Sequence, residues 1–377
     1  MGPSAAAAER NVIGVIGKVG REAAAKVIEI RGKLREIVST VAGKAIHPVF
    51  GLPGGVSKPI SRQQAAEFRK VGAEAVEFAQ FTLALFEKIV LGSPEYLDLI
   101  RSEMFTHRTY YMGMVDDRNR VAFYDGVMRI VSPSGHDWGR FPPEQYRDYI
   151  AEHAEPWSYM KFCHLKAIGW QGITDGEDSG IYSVAPLARL NASEGMATPL
   201  AHEAYLKFVG TLGGKPVHHT LANHWARLIE MLFAAERTRD LANDDEICDD
   251  RIRELPAAVP AHGVGVVEAP RGTLFHDYTT DGRGLITKAN LLVATQNNAG
   301  RIAMSIEKAA RSLITEAAVD ERILNMIEMA LRAYDPCLGC ATHSLPGSMP
   351  LIVQICGPDR GGITTLRRDC DGTVRRE

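Results

Sequence analysis

The chain of 377 residues carries 43 basic and 46 acidic residues, a net charge of −3, with 45% apolar and 24% charged residues. This is the balance of a globular chain long enough for one large domain or two ordinary ones, and without a basic stripe interleaved with aromatics it gives nucleic-acid binding no support. Its six cysteines are too sparse for a secreted disulfide framework, so a reducing cytoplasm is expected.

Met1-Gly2-Pro3-Ser4-Ala5-Ala6 has neither a charged-then-apolar signal pattern nor the hydroxyl residue of a myristoylation site. Val19 to Ala42 reads as a helix, with Ala24, Val27, Ile28, Ile30, Leu34 and Ile37 on a rough apolar stripe. Gly43 to Pro59, dense in Gly and Pro among apolar residues, reads as a shaped, buried loop. Ser61 is placed to cap a long helix through Leu91, and Ser93-Pro94-Glu95 to start another. The greasy run Phe81–Phe86 meets Glu87 and Lys88 too soon to span a bilayer.

Tyr110 to Val115 and Arg120 to Val131 read as strands joined by a turn at Asp116–Asn119, and Ser132 to Pro143 as loop. Gly169 to Pro199 reads as a second irregular stretch, and His218 to Ala242 as a long helix. Gly263–Tyr278 and Gly284–Thr295 read as paired extended segments, followed by helices Asn298–Leu313 and Val319–Ala333. The fold class expected is α+β: mostly helical, with long central helices, small antiparallel sheets and long functional loops.

The chemistry concentrates in Tyr334-Asp335-Pro336-Cys337-Leu338-Gly339-Cys340-Ala341-Thr342-His343. Thiolates at Cys337 and Cys340 can reach one soft metal ion from a single turn of backbone, and His343 extends the row. Taken bare, the C-x-x-C spacing is also that of a redox pair, of half a zinc site, or of chance. Asp335-Pro336 stops the preceding helix and fixes the approach of Cys337. A second block, Val267-Glu268-Ala269-Pro270-Arg271-Gly272-Thr273-Leu274, sets Arg271 among apolar strand formers. Its guanidinium is therefore expected to point inward and to suit a carboxylate or small anion. His47 alone reads as structural. Asn297-Asn298 reads as a helix cap, and His218, His219 and His224 lack metalloprotease spacing.

Together these blocks resemble the large subunit of [NiFe] hydrogenases, nearest to the NAD-linked bidirectional and heterodisulfide-reductase-linked forms. The likeness runs from about Asn11 to Pro350. It rests on Ala45-Ile46-His47-Pro48 with Pro53-Gly54-Gly55; Glu155-Pro156-Trp157-Ser158-Tyr159; Gly180-Ile181-Tyr182 through Ala188-Arg189-Leu190-Asn191; Glu268 to Leu274; Ala289-Asn290-Leu291 with Ala294 to Asn298; and Asp335 to His343.

The resemblance implies a single large-subunit-like domain over 1–343 and a tail, 344–377, that is either an uncleaved maturation extension or a tail this lineage keeps. It implies a Ni–Fe centre whose iron carries CO and cyanide, with Cys337 as terminal nickel ligand and Cys340 bridging the metals. Arg271 would bond a cyanide, with Pro270 packed nearby, Asp335 as its partner and His47 outside the ligands. His343 matches the last residue of the mature subunit, near a structural Mg²⁺. The activity implied is heterolytic H₂ oxidation or proton reduction. Electrons would leave through an iron–sulfur small subunit, with a flavin and NAD(P) module or a heterodisulfide reductase behind it.

The family also carries a C-x-x-C near its N-terminus, whereas here no cysteine precedes Cys163. The expectation is that this pair comes from another polypeptide, that the gene product is truncated, or that the site is altered. Two other readings stay open: a metal-free structural subunit of a hydrogenase-like or complex I-like assembly, and a mononuclear zinc or nickel site on Cys337, Cys340 and His343.

Overall fold

The computed structural model of the chain describes residues 6, 9, 11–314, 320–338, 351–356, 362–369 and 373–376. Ser61 starts the helix Arg62–Phe86 by a reciprocal cap. Its hydroxyl accepts from Gln64 N at 3.2 Å while its own N–H donates to the Gln64 side chain at 2.9 Å. Phe68, Val71, Ala75, Val76, Ala79 and Leu83 form the buried stripe of this helix, which packs along Asn223–Ala242. At Gly72 a Cβ would lie 2.8 Å from Arg239 Cα, so glycine lets the two backbones meet. The helix runs on to Leu91 as expected, its last turn Glu87–Leu91 widened to π geometry, and Pro94–Arg101 follows with Pro at its first turn.

The N-terminal helix expected from Val19 is two helices, Val12–Val19 and Arg21–Ala42. Gly20 at φ +92 parts them, and Asn11 caps the first through Ile13 and Gly14. The loop 43–59 is mostly exposed rather than buried, with Ile46 and Val49 out in solvent. It docks by backbone instead: Val56 N donates to Ile252 O at 3.0 Å, and Glu254 N donates to Gly54 O at 2.9 Å.

One sheet has the order Asp137–Phe141, Val127–Val131, Tyr110–Val115, Tyr182–Ser183, the last pairing being parallel. The strand expected from Arg120 starts only at Val127, because Val121 N spends its bond on Gly195 O. The expected loop over 132–143 contains the strand Asp137–Phe141. The irregular stretch 169–199 contains the helix Pro186–Ala192, buried at every position. A helix buried all round shows no polar face, so the period that reveals surface helices is missing.

A second sheet is the antiparallel meander His262–Ala269, Gly272–Thr280 and Ile286–Leu292. The single extended segment expected over 263–278 is thus folded into a hairpin at Pro270-Arg271. Helices Pro199–Thr211, Ala299–Leu313 and Glu321–Arg332 complete the body. In the tail, Leu351–Cys356, Gly362–Arg368 and Val374–Arg376 pair with one another. One apolar core lies among the helices around Phe105, Phe208 and Trp225, the other between the sheets around Met112, Ile130 and Phe275. Among the described residues no helix is long and apolar enough to cross a membrane.

Candidate functional site

The site forms where two arms of chain meet. The first is the hairpin turn, with Gly272 paired to Ala269 and Thr273 to Glu268. Gly272 has φ +135, and a Cβ there would sit 2.5 Å from Val184, so only glycine closes this turn. Side chains hold the turn by its carbonyls. Arg189 donates to Ala269 O at 2.9 Å and Pro270 O at 3.2 Å. Asn298 donates to Arg271 O at 3.3 Å, and Asn297 to Thr273 O at 3.1 Å. The expected cap role of Asn298 is not what its side chain does. Its Oδ1 accepts from Val184 N and Ser183 Oγ, tying helix start to sheet.

Arg189 is fully buried, as is the Glu268 side chain. It pairs in a fork with Glu230, both contacts at 2.6 Å, and reaches Glu268 at 2.9 Å. Glu268 also accepts from Met114 N and Thr273 Oγ1. Burial pushes the Glu268 carboxyl up, against the pull of Arg189 and its other hydrogen bonds.

The second arm leaves the helix Glu321–Arg332. Tyr334 is buried, its hydroxyl accepting from Arg301 Nε at 3.3 Å and contacting Ser305 Oγ at 3.0 Å. Arg301 is in turn spent on Thr109 Oγ1 at 2.5 Å and His107 O at 3.3 Å. Arg227 donates to Ala333 O at 3.1 Å. Asp335 then takes φ +51, a left-handed conformation that Asp tolerates better than most residues, and turns the chain so that Cys337 N donates to Thr295 Oγ1 at 3.1 Å.

Arg271 joins the arms. Its Nε donates to Asp335 O at 2.6 Å and lies 3.3 Å from Asp335 Oδ2. The expected inward-pointing guanidinium is instead 38% exposed, and Asp335 is 45% exposed. The reason is geometric, since a residue at a hairpin tip projects beyond the sheet. Beside this junction lies an apolar cavity of about 600 Å³, walled by Trp157, Phe162, Ile302, Leu331, Pro336 and Leu338.

The structure therefore brings Arg271, with Pro270 ahead of it, onto Asp335, two residues before Cys337 in the same arm. The Cys337 sulfur is engaged in a disulfide, so it stands there as a cystine sulfur and not as a thiolate. Cys340 and His343 lie outside the described residues. His47 is exposed, at φ +56, with no described hydrogen bond to the junction. Burial pushes the Cys163 thiol up to about 12, an inert core residue. His218 and His219 contact Tyr111 and Thr106, at 2.7 and 2.9 Å.

Sequence reasoning missed Arg189, Glu230, Glu268 and Arg301 as parts of the site. The available signal was three lone charges inside apolar runs: Leu187-Ala188-Arg189-Leu190, Ile229-Glu230-Met231 and Val267-Glu268-Ala269. Buried charges require partners, and these three satisfy one another.

The nickel-dependent hydrogenase family profile matches residues 144–343. The chain is 42% identical to an F420-non-reducing hydrogenase iron-sulfur subunit from Archaeoglobus profundus, over 97% of this chain and 76% of that one. It is 36% identical to the beta subunit of a NAD-reducing hydrogenase from Cupriavidus necator, over 94% and 72% of the two chains. A solved NAD⁺-reducing [NiFe]-hydrogenase in the H₂-reduced state superposes with TM-score 0.82 at 34% identity, covering 91% of this chain and 73% of that one. A [NiFeSe]-hydrogenase of Dm. baculatum shares the fold, with TM-score 0.59 at 19% identity over 85% and 69% of the chains. The chain belongs to the nickel-dependent hydrogenase large-subunit family.

Proposed function

We propose that the junction of Arg271, Asp335 and Cys337 is where this subunit cleaves H₂ heterolytically or forms it from protons. The observation that carries the reading is the Arg271–Asp335 contact, which sets a guanidinium beside the Asp-Pro-Cys arm. When bound, a nickel–iron group with CO and cyanide on its iron supplies the redox-active Lewis acid for H₂ cleavage.

The described residues fit one side of such a group. Cys337 offers a soft sulfur once exchange with a cellular dithiol, itself oxidised to a disulfide, has reduced it, and Arg271 offers a fork for anionic ligands. Among the described residues no cluster of three or more His, Cys, Asp and Glu is present. We therefore assign the other donors to Cys340 and to thiolates outside the described residues, and place His343 at a Mg²⁺ site.

The protein's own part is positioning and protection. The apolar cavity against Pro336 and Leu338 admits a small uncharged molecule and disfavours water. Asp335 holds the guanidinium in place, so that its remaining N–H groups can compensate a buried negative charge. The Cys337 Sγ, as thiolate, is the base that takes the proton from H₂. Arg271 is a poor base, because its guanidinium resists deprotonation.

Electrons then pass to a partner iron–sulfur subunit, with a flavin and NAD(P) module or a heterodisulfide reductase beyond it. The names of the relatives, which are subunits of larger hydrogenases, support a multi-subunit setting. The sparse cysteine usage supports a cytoplasmic location.

Cys337→Ala in the enzyme purified with its partners tests the reading. Infrared bands of iron-bound CO and cyanide should disappear, nickel should fall to background, and H₂ uptake should be lost. Full activity in that variant would overturn the assignment. Zinc alone in the wild-type protein would favour the mononuclear site instead.

A further inference from the structure

We infer that Arg189 is a positioning residue for Arg271, fixing the direction of the guanidinium by holding the two carbonyls that precede it. A guanidinium has five N–H donors, and Arg189 spends them on Glu230, Glu268, Ala269 O and Pro270 O, at 2.6 to 3.2 Å. An ion triad that served stability alone would need only the carboxylate contacts. Here the remaining donors go to the backbone immediately ahead of the residue at the junction.

The placement of Arg189 is itself enforced. Its helix, Pro186–Ala192, is buried at every residue and lies against the strand Tyr110–Val115. At Gly113 a Cβ would come within 2.9 Å of Arg189 Cα, so the strand drops its side chain where the helix passes. Glu230 arrives from the central helix and Glu268 from the strand leading into the turn. Three separate elements thus converge on one guanidinium, and that guanidinium holds the peptide planes of Ala269 and Pro270. Rotating either plane would swing the Arg271 side chain away from Asp335.

The inference rests on the reading of Arg271 as part of the H₂-activating junction. The test uses the assembled enzyme and four forms: wild type, Arg189→Lys, Arg271→Lys and the double variant. Lysine keeps the charge of Arg189 but has three donors in place of five, too few for both carboxylates and both carbonyls. We expect amide exchange at Gly272 and Thr273 to quicken by about tenfold in Arg189→Lys, with kcat lowered by about tenfold and KM for H₂ unchanged.

The double variant should be no slower than Arg271→Lys, because both changes remove the same placement. Losses that multiply in the double variant, or unaltered exchange in Arg189→Lys, would overturn the inference. Full activity in Arg271→Lys together with faster exchange in Arg189→Lys would instead overturn the reading of the junction and leave the positioning intact. If Arg189→Lys does not fold, Glu230→Gln takes its place. It removes one carboxylate charge and should shift exchange and kcat in the same direction, by a smaller factor.

Discussion

The two arms that meet at Arg271 and Asp335 are held in opposite ways. The Pro270–Arg271 turn is clamped from below by the fully buried side chains of Arg189 and Glu268, and Glu230 is nearly as buried. The Asp335–Cys337 arm is held at its root by Tyr334 and by the Arg227 bond to Ala333 O, and then runs through a left-handed residue to the Cys337 N–H bond at Thr295. Both arms end in half-exposed groups, so exposure does not distinguish them. Their supports do: the turn is built not to move, whereas the cysteine arm is fixed at its root and leaves its tip to whatever it binds. On the proposed reading, a site that takes up a metal centre and then holds it needs both properties.

The largest effect should come from Gly272→Ala. The added methyl would meet Val184 at 2.5 Å in a backbone conformation with φ +135. A cost of about 2–4 kcal/mol is expected from strain and overlap together, read as a fall in unfolding midpoint. The loss should concentrate in the turn, with faster amide exchange at 268–274 and little change at 321–334. Uniform loss across both arms would show that they are one cooperative unit.

Tyr334→Phe probes the other anchor. It removes the hydroxyl shared by Arg301 and Ser305 and leaves the ring. Arg301 keeps its bonds to Thr109 and His107, so a cost of about 1–2 kcal/mol is expected. Exchange should rise at 334–337 and not at 269–273. The reverse pattern would dissolve the contrast between the arms.

The sequence makes the tips of both arms legible and hides their supports, for a physical reason. Asp335, Cys337, Pro270 and Arg271 lie in short blocks whose chemistry is contiguous, so a turn signal beside a ligand type can be read directly. Arg189 meets Glu230 across 41 positions and Glu268 across 79, pairings that only the packed chain creates. The same division holds for the fold. Ser61, Pro94 and the Asp116–Asn119 turn act locally and stand where the sequence puts them. The helix Pro186–Ala192 and the strand Asp137–Phe141 owe their form to neighbours distant in sequence. The exposure of Arg271 escapes for a related reason, since apolar flanks predict a buried strand but say nothing of a hairpin tip.

Asp335→Asn should have a smaller effect on stability. The residue tolerates a left-handed conformation as Asn also does, and an ion pair this exposed contributes little, about 0.5 kcal/mol or less. The Arg271 Nε contact to the Asp335 carbonyl would survive. Unfolding should barely shift while H₂ turnover falls, because the carboxylate no longer steadies the guanidinium. A large stability loss would mean that the pair is a structural link between the arms.

The finest test of the contrast lies in pH. His218 contacts the Tyr111 hydroxyl at 2.7 Å, and burial, with Arg301, Arg108 and His219 adding to it against Asp175, lowers its pKa from 6.5 to about 4. Burial also pushes the Tyr111 hydroxyl up to about 12, so both partners are uncharged near neutral pH. The folded state thus binds its proton more weakly than the unfolded chain does. As pH falls from 6.5 towards 4, the unfolded state takes up a proton that the folded state refuses, and stability declines. With His218 partly exposed, the loss should be about 1 kcal/mol. It should fall first on the ground beneath Arg301 and Tyr334, while Arg189, which burial disfavours but two carboxylates hold charged, keeps the turn as it is. Amide exchange followed from pH 6.5 to pH 4 should therefore loosen 334–337 before 269–273. His218→Gln should reduce that dependence, leaving the part due to His224, whose pKa burial also lowers to about 4, and equal loosening of both arms would refute the separate-anchor account.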